Sequence, residues 1–139
     1  MARTGRRATA LDHATAGDLF RAVFELAAAR LRLGSKQARS LIAAGPVPVT
    51  KLDPVQSALV ERLAYAIPRV AARLPWRADC MVQALAAERW LRVNGIPSTL
   101  TLGVPRDKPT NFEAHAWLTA GDRIVTGGDV SGYVPLKRA

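Results

Sequence analysis

The sequence predicts an α+β fold in which helices come first and an antiparallel sheet follows. Up to Val93, apolar residues recur with the 3.6-residue period of amphipathic helices. After Pro97 the period changes to two, because apolar residues alternate with polar or small ones over residues 99–104, as in a half-buried strand. A second alternating segment ends at Gly121 and Asp122, which indicates a tight hairpin turn. Helices followed by hairpin-connected strands are typical of the α+β class.

The first helix is predicted over residues 18–32, after a flexible basic tail. Residues 1–14 carry three arginines and no periodic apolar pattern, which is typical of a mobile terminus. Thr15 or Asp18 is the expected N-cap, and Gly34 is the expected end of the helix. The apolar residues of this helix recur at helical spacing: Phe20, Val23, Phe24, Ala27 and Leu31.

Two further helices are predicted before the cysteine. A short one covers residues 36–43, and a Gly-Pro-Val-Pro sequence then breaks the chain. The next helix begins after Asp53, because Asp is a good N-cap, Pro is favoured at the first helical position, and Gln56 completes a capping box. Pro68 is expected to bend or end this helix. Its apolar residues are Val55, Leu59, Leu63, Ile67 and Val70.

The last helix is predicted over residues 80–93, with Asp79 as its N-cap and Asn94-Gly95 as its end. Its apolar side chains span an arc of roughly 200° at about 100° per residue. A helix this apolar is expected at the centre of the fold. Cys80 and Gln83 both lie within the apolar arc.

The length of 139 residues is enough for one domain and too short for two ordinary ones. We therefore predict a single domain over residues 15–139. It consists of a helical N-terminal part, residues 15–74, and a cysteine helix with its sheet, residues 75–139. The apolar content of 49% argues against disorder throughout.

The composition also narrows the class of protein. No segment approaches the roughly 18 uninterrupted apolar residues of a membrane span, and no secretory signal is visible. One cysteine excludes an intrachain disulfide, so we expect a cytoplasmic protein. The net charge of +9 is uneven: residues 1–92 hold 15 Lys+Arg and 7 Asp+Glu, or +8, whereas residues 93–139 hold 5 and 4, or +1. A basic surface of this kind first suggests nucleic acid.

The cysteine and one histidine form a candidate nucleophile and base. Cys80 falls at the first position of a capped helix, where free N–H groups and the helix dipole stabilise a thiolate. The adjacent Asp79 carboxylate has the opposite effect. His115 lies in the second alternating segment, whereas His13, the other histidine, lies in the tail. His115 is therefore the candidate general base.

A third group is needed to orient the imidazole. With a three-residue hairpin loop, Asp129 lies on the same sheet face as His115 and diagonally near it. With a two-residue loop, Asp129 reaches that face only if Gly127-Gly128 forms a bulge. Glu113 is a weaker competitor on the same strand face. Water or a backbone carbonyl in place of an acid stays open.

Each candidate also has a purely structural interpretation. A single cysteine in an apolar helix is usually an inert core residue, and Asp129 after two glycines is most simply a turn residue. Gln83 is a candidate for orienting the loop or the substrate, or else a core residue satisfied by hydrogen bonds. Trp117 is a candidate for substrate binding, or else part of the core. Too few ligands are present for a metal site.

Two segments together resemble a known family. Residues 74–97 (LPWRADCMVQALAAERWLRVNGIP) resemble the cysteine helix of the transglutaminase-like, or papain-like, fold. Residues 100–104 (LTLGV) and 112–118 (FEAHAWL) resemble its sheet, the second being the histidine strand. The combination is similar to the leader peptidases of lasso peptide biosynthesis, and it covers roughly residues 55–137.

The resemblance implies a cysteine peptidase that cuts the leader from a ribosomally made precursor, with Cys80 as nucleophile and His115 as base. The acid of the family often lies about a dozen residues after the histidine, where this chain has Gly127, so Asp129 is the nearest acid. No cofactor or metal is expected. The expected partners are the precursor, a separate leader-recognition protein and an ATP-dependent, asparagine-synthetase-like lasso cyclase, with no nucleic acid and no membrane.

Two other classes of function stay open at this point. One is a basic module that binds nucleic acid, suggested by the charge of residues 1–92. The other is an adaptor with a peptidase-like fold that holds a leader peptide or a partner protein without cutting it.

Overall fold

A computed structural model describes residues 4–36, 39–40, 50–107 and 114–136. Over these ranges, three long helices precede a four-stranded antiparallel sheet, which confirms the predicted α+β class. The helices are α1 (Thr4–Arg32), α2 (Pro54–Ala71) and α3 (Cys80–Val93). The strands are β1 (Thr99–Pro105), β2 (His115–Ala120), β3 (Arg123–Thr126) and β4 (Tyr133–Pro135). Most of the short helix predicted over residues 36–43 lies outside the described residues.

Helix α1 begins earlier than predicted and buries a different face. Its backbone is helical from Thr4, so residues 4–14, predicted as a tail, continue the helix. Asp18 is therefore not a cap: it lies inside the helix, is buried, and accepts hydrogen bonds from Arg62 of α2 at 2.9 and 3.0 Å. The side chains that α1 buries in the core are Ala22, Leu26 and Ala29, whereas the predicted apolar face is largely exposed.

Helix α2 has the predicted start. The Asp53 carboxylate accepts from the Gln56 amide at 2.8 Å, and the Gln56 side chain accepts from the Asp53 amide at 3.1 Å. This capping box satisfies two of the unpaired donors at the helix start. The helix ends at Ala71, three residues after Pro68. Val55 is exposed, while the other four predicted apolar positions are buried or half-buried.

Helix α3 is central, as predicted. The Asp79 side chain accepts from the Val82 amide at 3.2 Å, which caps the start. At the other end Gly95 adopts a φ of 72°, and the amides of Gly95 and Ile96 donate back to the last carbonyls of the helix. This is the Schellman arrangement, which favours glycine at that position. Most side chains of α3 are buried between α1, α2 and the sheet.

The sheet has the strand order β3-β2-β1-β4, with every neighbouring pair antiparallel. Gly121 and Asp122 form a two-residue loop, so Ala120 lies opposite Arg123. A bulge follows between Leu118 and Thr119, because the register of β3 shifts there by one residue. From the sequence, a bulge was considered only at the Gly127-Gly128 pair, as the condition for a two-residue loop to bring Asp129 near His115. Strand β4 was not predicted.

Buried ion pairs join α1 to its neighbours. Glu25 is fully buried, and its carboxylate accepts from Arg89 of α3 at 2.7 and 2.8 Å and from Arg21 at 2.9 Å. A buried carboxylate is stable only when it is paired in this way. None of the helices in the described part of the chain is both long and apolar enough to cross a membrane.

Candidate active site

Cys80 is the first residue of α3 and is half-buried. The first amides of a helix have no intrahelical acceptor. Here the Asp79 side chain accepts from Val82, and the amides of Cys80 and Met81 donate to no group in the described ranges. The thiol therefore lies at the positive end of the helix dipole, beside N–H donors with no acceptor among the described residues, and such donors can stabilise a developing oxyanion.

Strand β2 contacts the start of α3 through the peptide group between His115 and Ala116. The Ala116 amide donates to Cys80 Sγ at 3.4 Å. The amide is available because the pairing between β2 and β3 extends only as far as Leu118. Ala116 directly follows His115, so the thiol lies against the peptide bond that the histidine itself contributes. The packing of α3 on β2 thus brings the Cys80 thiol to the backbone next to His115. The pairing of the two side chains in catalysis stays a prediction.

A backbone carbonyl holds the imidazole of His115. Nε2 lies 2.7 Å from the Gly127 oxygen. Because a carbonyl oxygen can only accept, Nε2 must carry the hydrogen. The neutral ring then has Nδ1 unprotonated, so Nδ1 is the nitrogen that can take a proton from the thiol. The hydrogen bond fixes the tautomer that a general base requires.

Aromatic side chains surround the histidine on one face of the sheet. The ring of Tyr133, on β4, stacks on the His115 ring with centroids 4.6 Å apart and an interplanar angle of 27°. Trp117 lies 6.1 Å from the His115 ring and 6.4 Å from that of Tyr133. Offset stacking of this kind restricts the rotation of the imidazole. Tyr133 was missed by the sequence analysis, because its three-residue strand is too short to show an alternating pattern.

Gly127 can only be a glycine in this arrangement. Its φ of 108° is a conformation that other residues rarely adopt. A Cβ at this position would lie 2.4 Å from the Cβ of Trp117. The backbone therefore passes directly over Trp117, and its carbonyl reaches His115. This geometry corresponds to one of the alternatives that the sequence analysis left open for the third group.

Asp129 does not meet His115. It is exposed, and its carboxylate accepts from the Ser131 amide at 3.0 Å. This hydrogen bond, made within a turn, lowers the pKa of the Asp129 carboxyl group below its ordinary value. Among the described residues, no hydrogen bond joins Asp129 to the histidine, and Glu113 lies outside the described residues. The role of Asp129 in catalysis stays a prediction without a supporting contact.

The two candidate substrate-binding residues occupy different surroundings. The Gln83 side-chain amide donates to the Ala78 carbonyl at 3.0 Å. It thereby holds the loop that leads into Cys80, which is one of the roles expected for it. Trp117 is buried, and its indole lies so close to Gly103 that a Cβ there would come within 2.6 Å of it. Direct contact of either residue with substrate stays a prediction.

Comparison with known proteins agrees with this geometry at the level of the family. A model of the transglutaminase-like superfamily matches residues 22–138. The chain belongs to the transglutaminase-like superfamily, which includes cysteine peptidases. No curated protein and no solved structure gave a match.

Proposed function

We propose that this chain is a cysteine peptidase that removes the leader from a lasso peptide precursor. The observation that carries the peptidase activity is the position of Cys80. Its Sγ lies at a helix start and accepts a hydrogen bond from the amide that follows His115. The substrate, a leader-bearing precursor, rests on the resemblance of the cysteine and histidine segments to the lasso leader peptidases.

The first half of the reaction forms an acyl-enzyme. A proton moves from Cys80 Sγ to Nδ1 of His115, while the Gly127 carbonyl keeps Nε2 in place. The thiolate attacks the last carbonyl carbon of the leader, and a C–S bond forms as the C=O π bond opens. The amides of Cys80 and Met81, which have no acceptor in the described ranges, are the available donors for the oxyanion. The C–N bond then breaks, and the Nδ1 proton goes to the leaving amine, the new N-terminus of the core peptide.

The second half releases the leader. Nδ1 of His115 accepts a proton from water, and the hydroxide attacks the thioester carbonyl. The C–S bond breaks, the leader leaves with a free carboxylate, and the proton returns to Sγ. No step requires Asp129, because the backbone carbonyl supplies the orientation that an acid gives in other cysteine peptidases.

The proposed partners follow from the same resemblance. A separate recognition protein presents the precursor, and an ATP-dependent cyclase closes the released core. We expect neither a cofactor nor nucleic acid to take part, and we expect the reaction to occur in the cytoplasm.

The decisive experiment is mass spectrometry of candidate precursors mixed with the purified protein, with and without the recognition protein. Cleavage at a single bond is expected with the wild-type protein. Cys80→Ala and His115→Ala are expected to lose it while keeping the wild-type circular dichroism spectrum. His13→Ala, which changes the other histidine of the chain, is the matched control and should cleave normally. Stoichiometric binding without any cleaved product would instead indicate the adaptor, and Cys80→Ala activity equal to wild type would contradict the proposal.

A further inference from the structure

Helix α1 exposes a row of large apolar side chains on the side opposite its buried face. Phe20 is 82% exposed, Phe24 57% and Leu31 88%. The three residues are spaced four and seven apart, so they lie along one side of the helix. Arg21 lies beside Phe24, and Arg30 is the exposed residue that directly precedes Leu31 in the sequence. We call these five residues the α1 outer surface.

The apolar row is not required for the core. Ala22, Leu26 and Ala29, on the other side of α1, are fully buried and supply the packing against α2 and α3. A soluble helix ordinarily exposes charged and polar residues on its outer face. Contiguous exposed apolar side chains are typical of interaction sites. Packing among the described residues therefore does not explain why the α1 outer surface is apolar.

The charges beside this row are positive. The two acids of α1 in its described side chains, Asp18 and Glu25, are buried and paired with arginines of α2 and α3. The guanidinium groups of Arg21 and Arg89 lie 5.8 and 5.7 Å from the Phe24 ring. Phenylalanine and arginine are both enriched at protein interfaces relative to other surfaces. Arg21 and Arg89 share the single carboxylate of Glu25, and Arg30 pairs with no carboxylate among the described residues, so the surface keeps a net positive charge. A partner that complements it is acidic and apolar.

The α1 outer surface is connected to the loop that leads into Cys80. The Arg30 guanidinium donates to the Arg77 carbonyl at 2.9 Å. Arg77 lies three residues before Cys80, and the Gln83 side chain holds the same loop at Ala78. A protein bound along α1 would therefore contact the segment next to the active site.

We propose that the α1 outer surface docks a partner protein through an acidic surface that presents apolar side chains. The inference rests on the proposed function, in which a second protein brings the substrate to Cys80. A second copy of this chain fits less well, because a symmetric contact joins the same surface of both copies and would bring the arginines of one copy against those of the other. A lipid surface and self-association are outcomes that the test distinguishes.

The probe is a fluorescein-labelled synthetic helix of 18 residues, with Leu and Phe on one face and Glu elsewhere, measured by fluorescence anisotropy. A second peptide has Lys in place of every Glu. The wild-type chain is expected to bind the acidic peptide at least tenfold more tightly than the basic one, with affinity falling as salt rises. Phe20→Ser/Leu31→Ser is expected to weaken binding of the acidic peptide at least tenfold.

The matched control is Val55→Ser/Val93→Ser, which changes side chains 80% and 59% exposed on the other two helices. It should bind as wild type does. Equal binding of the two peptides, or an equal loss in the control, would overturn the proposal. So would a wild-type dimer in sedimentation that Phe20→Ser/Leu31→Ser dissociates, or binding only to vesicles of phosphatidylcholine with a quarter phosphatidylglycerol.

The same variants separate this inference from the peptidase itself. Cys80→Ala should bind the acidic peptide as tightly as wild type. If peptide binding is absent while Cys80-dependent cleavage of a precursor persists, only the docking surface is wrong. If binding is retained and no precursor is cleaved, only the peptidase assignment is wrong.

Discussion

The Nε2 atom of His115 lies 2.7 Å from the carbonyl oxygen of Gly127, twelve residues further along the chain. The resemblance to lasso leader peptidases led us to expect an acid at or near this position. A main-chain carbonyl fulfils the orienting part of that role, because it accepts the Nε2 hydrogen and leaves Nδ1 free. Unlike a carboxylate, it adds no full negative charge beside the imidazolium.

Replacement of Gly127 is expected to be costly. Gly127→Ala combines a positive φ with a Cβ placed 2.4 Å from the Trp117 Cβ, so we expect a loss of about 3 kcal/mol or more in the free energy of unfolding. Urea denaturation measures it. Gly128→Ala is the control, since its φ is 66° but nothing lies within 4 Å of its Cβ position, and about 1–2 kcal/mol is expected. Similar losses of unfolding free energy in both variants would contradict a steric clash between a Cβ at position 127 and Trp117.

The second prediction concerns the rate at which the Cys80 thiol is alkylated. Iodoacetamide should alkylate the thiol rapidly near neutral pH, because Sγ is only half-buried at the start of α3 and lies against the strand that carries the proposed base, His115. His115→Ala is expected to slow alkylation by at least tenfold, as followed by intact mass. Slow alkylation of the wild-type protein, typical of an inert buried thiol, would count against a nucleophilic role.

Asp129→Asn is expected to leave both cleavage and Cys80 alkylation within about twofold of wild type. Its carboxylate is bound by the Ser131 amide and not by the histidine. Because this hydrogen bond lowers the pKa of the Asp129 carboxyl group, the group stabilises the turn above its ordinary pKa. That contribution is lost only as the pH falls through the lowered value. A loss of activity as large as that of His115→Ala would restore Asp129 as the third catalytic group.

Tyr133 is expected to position the imidazole through its ring. Tyr133→Phe preserves the stacked ring, whereas Tyr133→Leu removes it, so only the leucine variant should slow Cys80 alkylation, by about three- to tenfold. Stopped-flow measurement over a range of pH compares the two variants with wild type. Equal slowing in both would assign the effect to the hydroxyl group, and no slowing in either would show that the stacking is dispensable.

The last prediction concerns the buried ion pair between α1 and α3. Glu25→Gln leaves Arg89 and Arg21 without their carboxylate, and we expect a loss of about 3–5 kcal/mol in the free energy of unfolding. The control is Glu61→Gln, which removes an exposed pair with Arg123 and should cost less than about 1 kcal/mol. Thermal and urea denaturation measure both. Comparable losses of unfolding free energy would mean that the buried ion pair of Glu25 stabilises the fold no more than the exposed pair of Glu61.

Local signals predicted most of the elements that carry the site. Asp79 and Gly95 delimit α3 because capping chemistry depends on residues a few positions apart. The tight turn at Gly121 and Asp122 was recognisable for the same reason, whereas the choice between a three-residue and a two-residue loop was left to the structure. The predicted start of α1 was wrong. Residues 4–14 are helical but have no periodic apolar pattern, so no sequence signal marked this part of the helix.

The buried face of α1 shows where sequence periodicity fails. Phe20 and Leu31 share a helical spacing that predicts a buried face, yet the smaller residues Ala22 and Ala29 are the ones that pack. Periodicity indicates which residues share a face, but not which face meets the rest of the chain. The buried side of α1 also carries Asp18 and Glu25, whose arginine partners come from α2 and α3 and are not adjacent to them in the sequence.

By itself, the sequence determined a capped helix that begins with Cys80, a strand that carries His115, and the α+β order of the elements. These features depend on short-range propensities and on residue spacing. Only the tertiary structure decided that the Ala116 amide meets the thiol and that Gly127, not Asp129, holds the imidazole. Those contacts depend on a one-residue bulge between β2 and β3 and on the close approach of the chain to Trp117, and both arise from packing between distant segments.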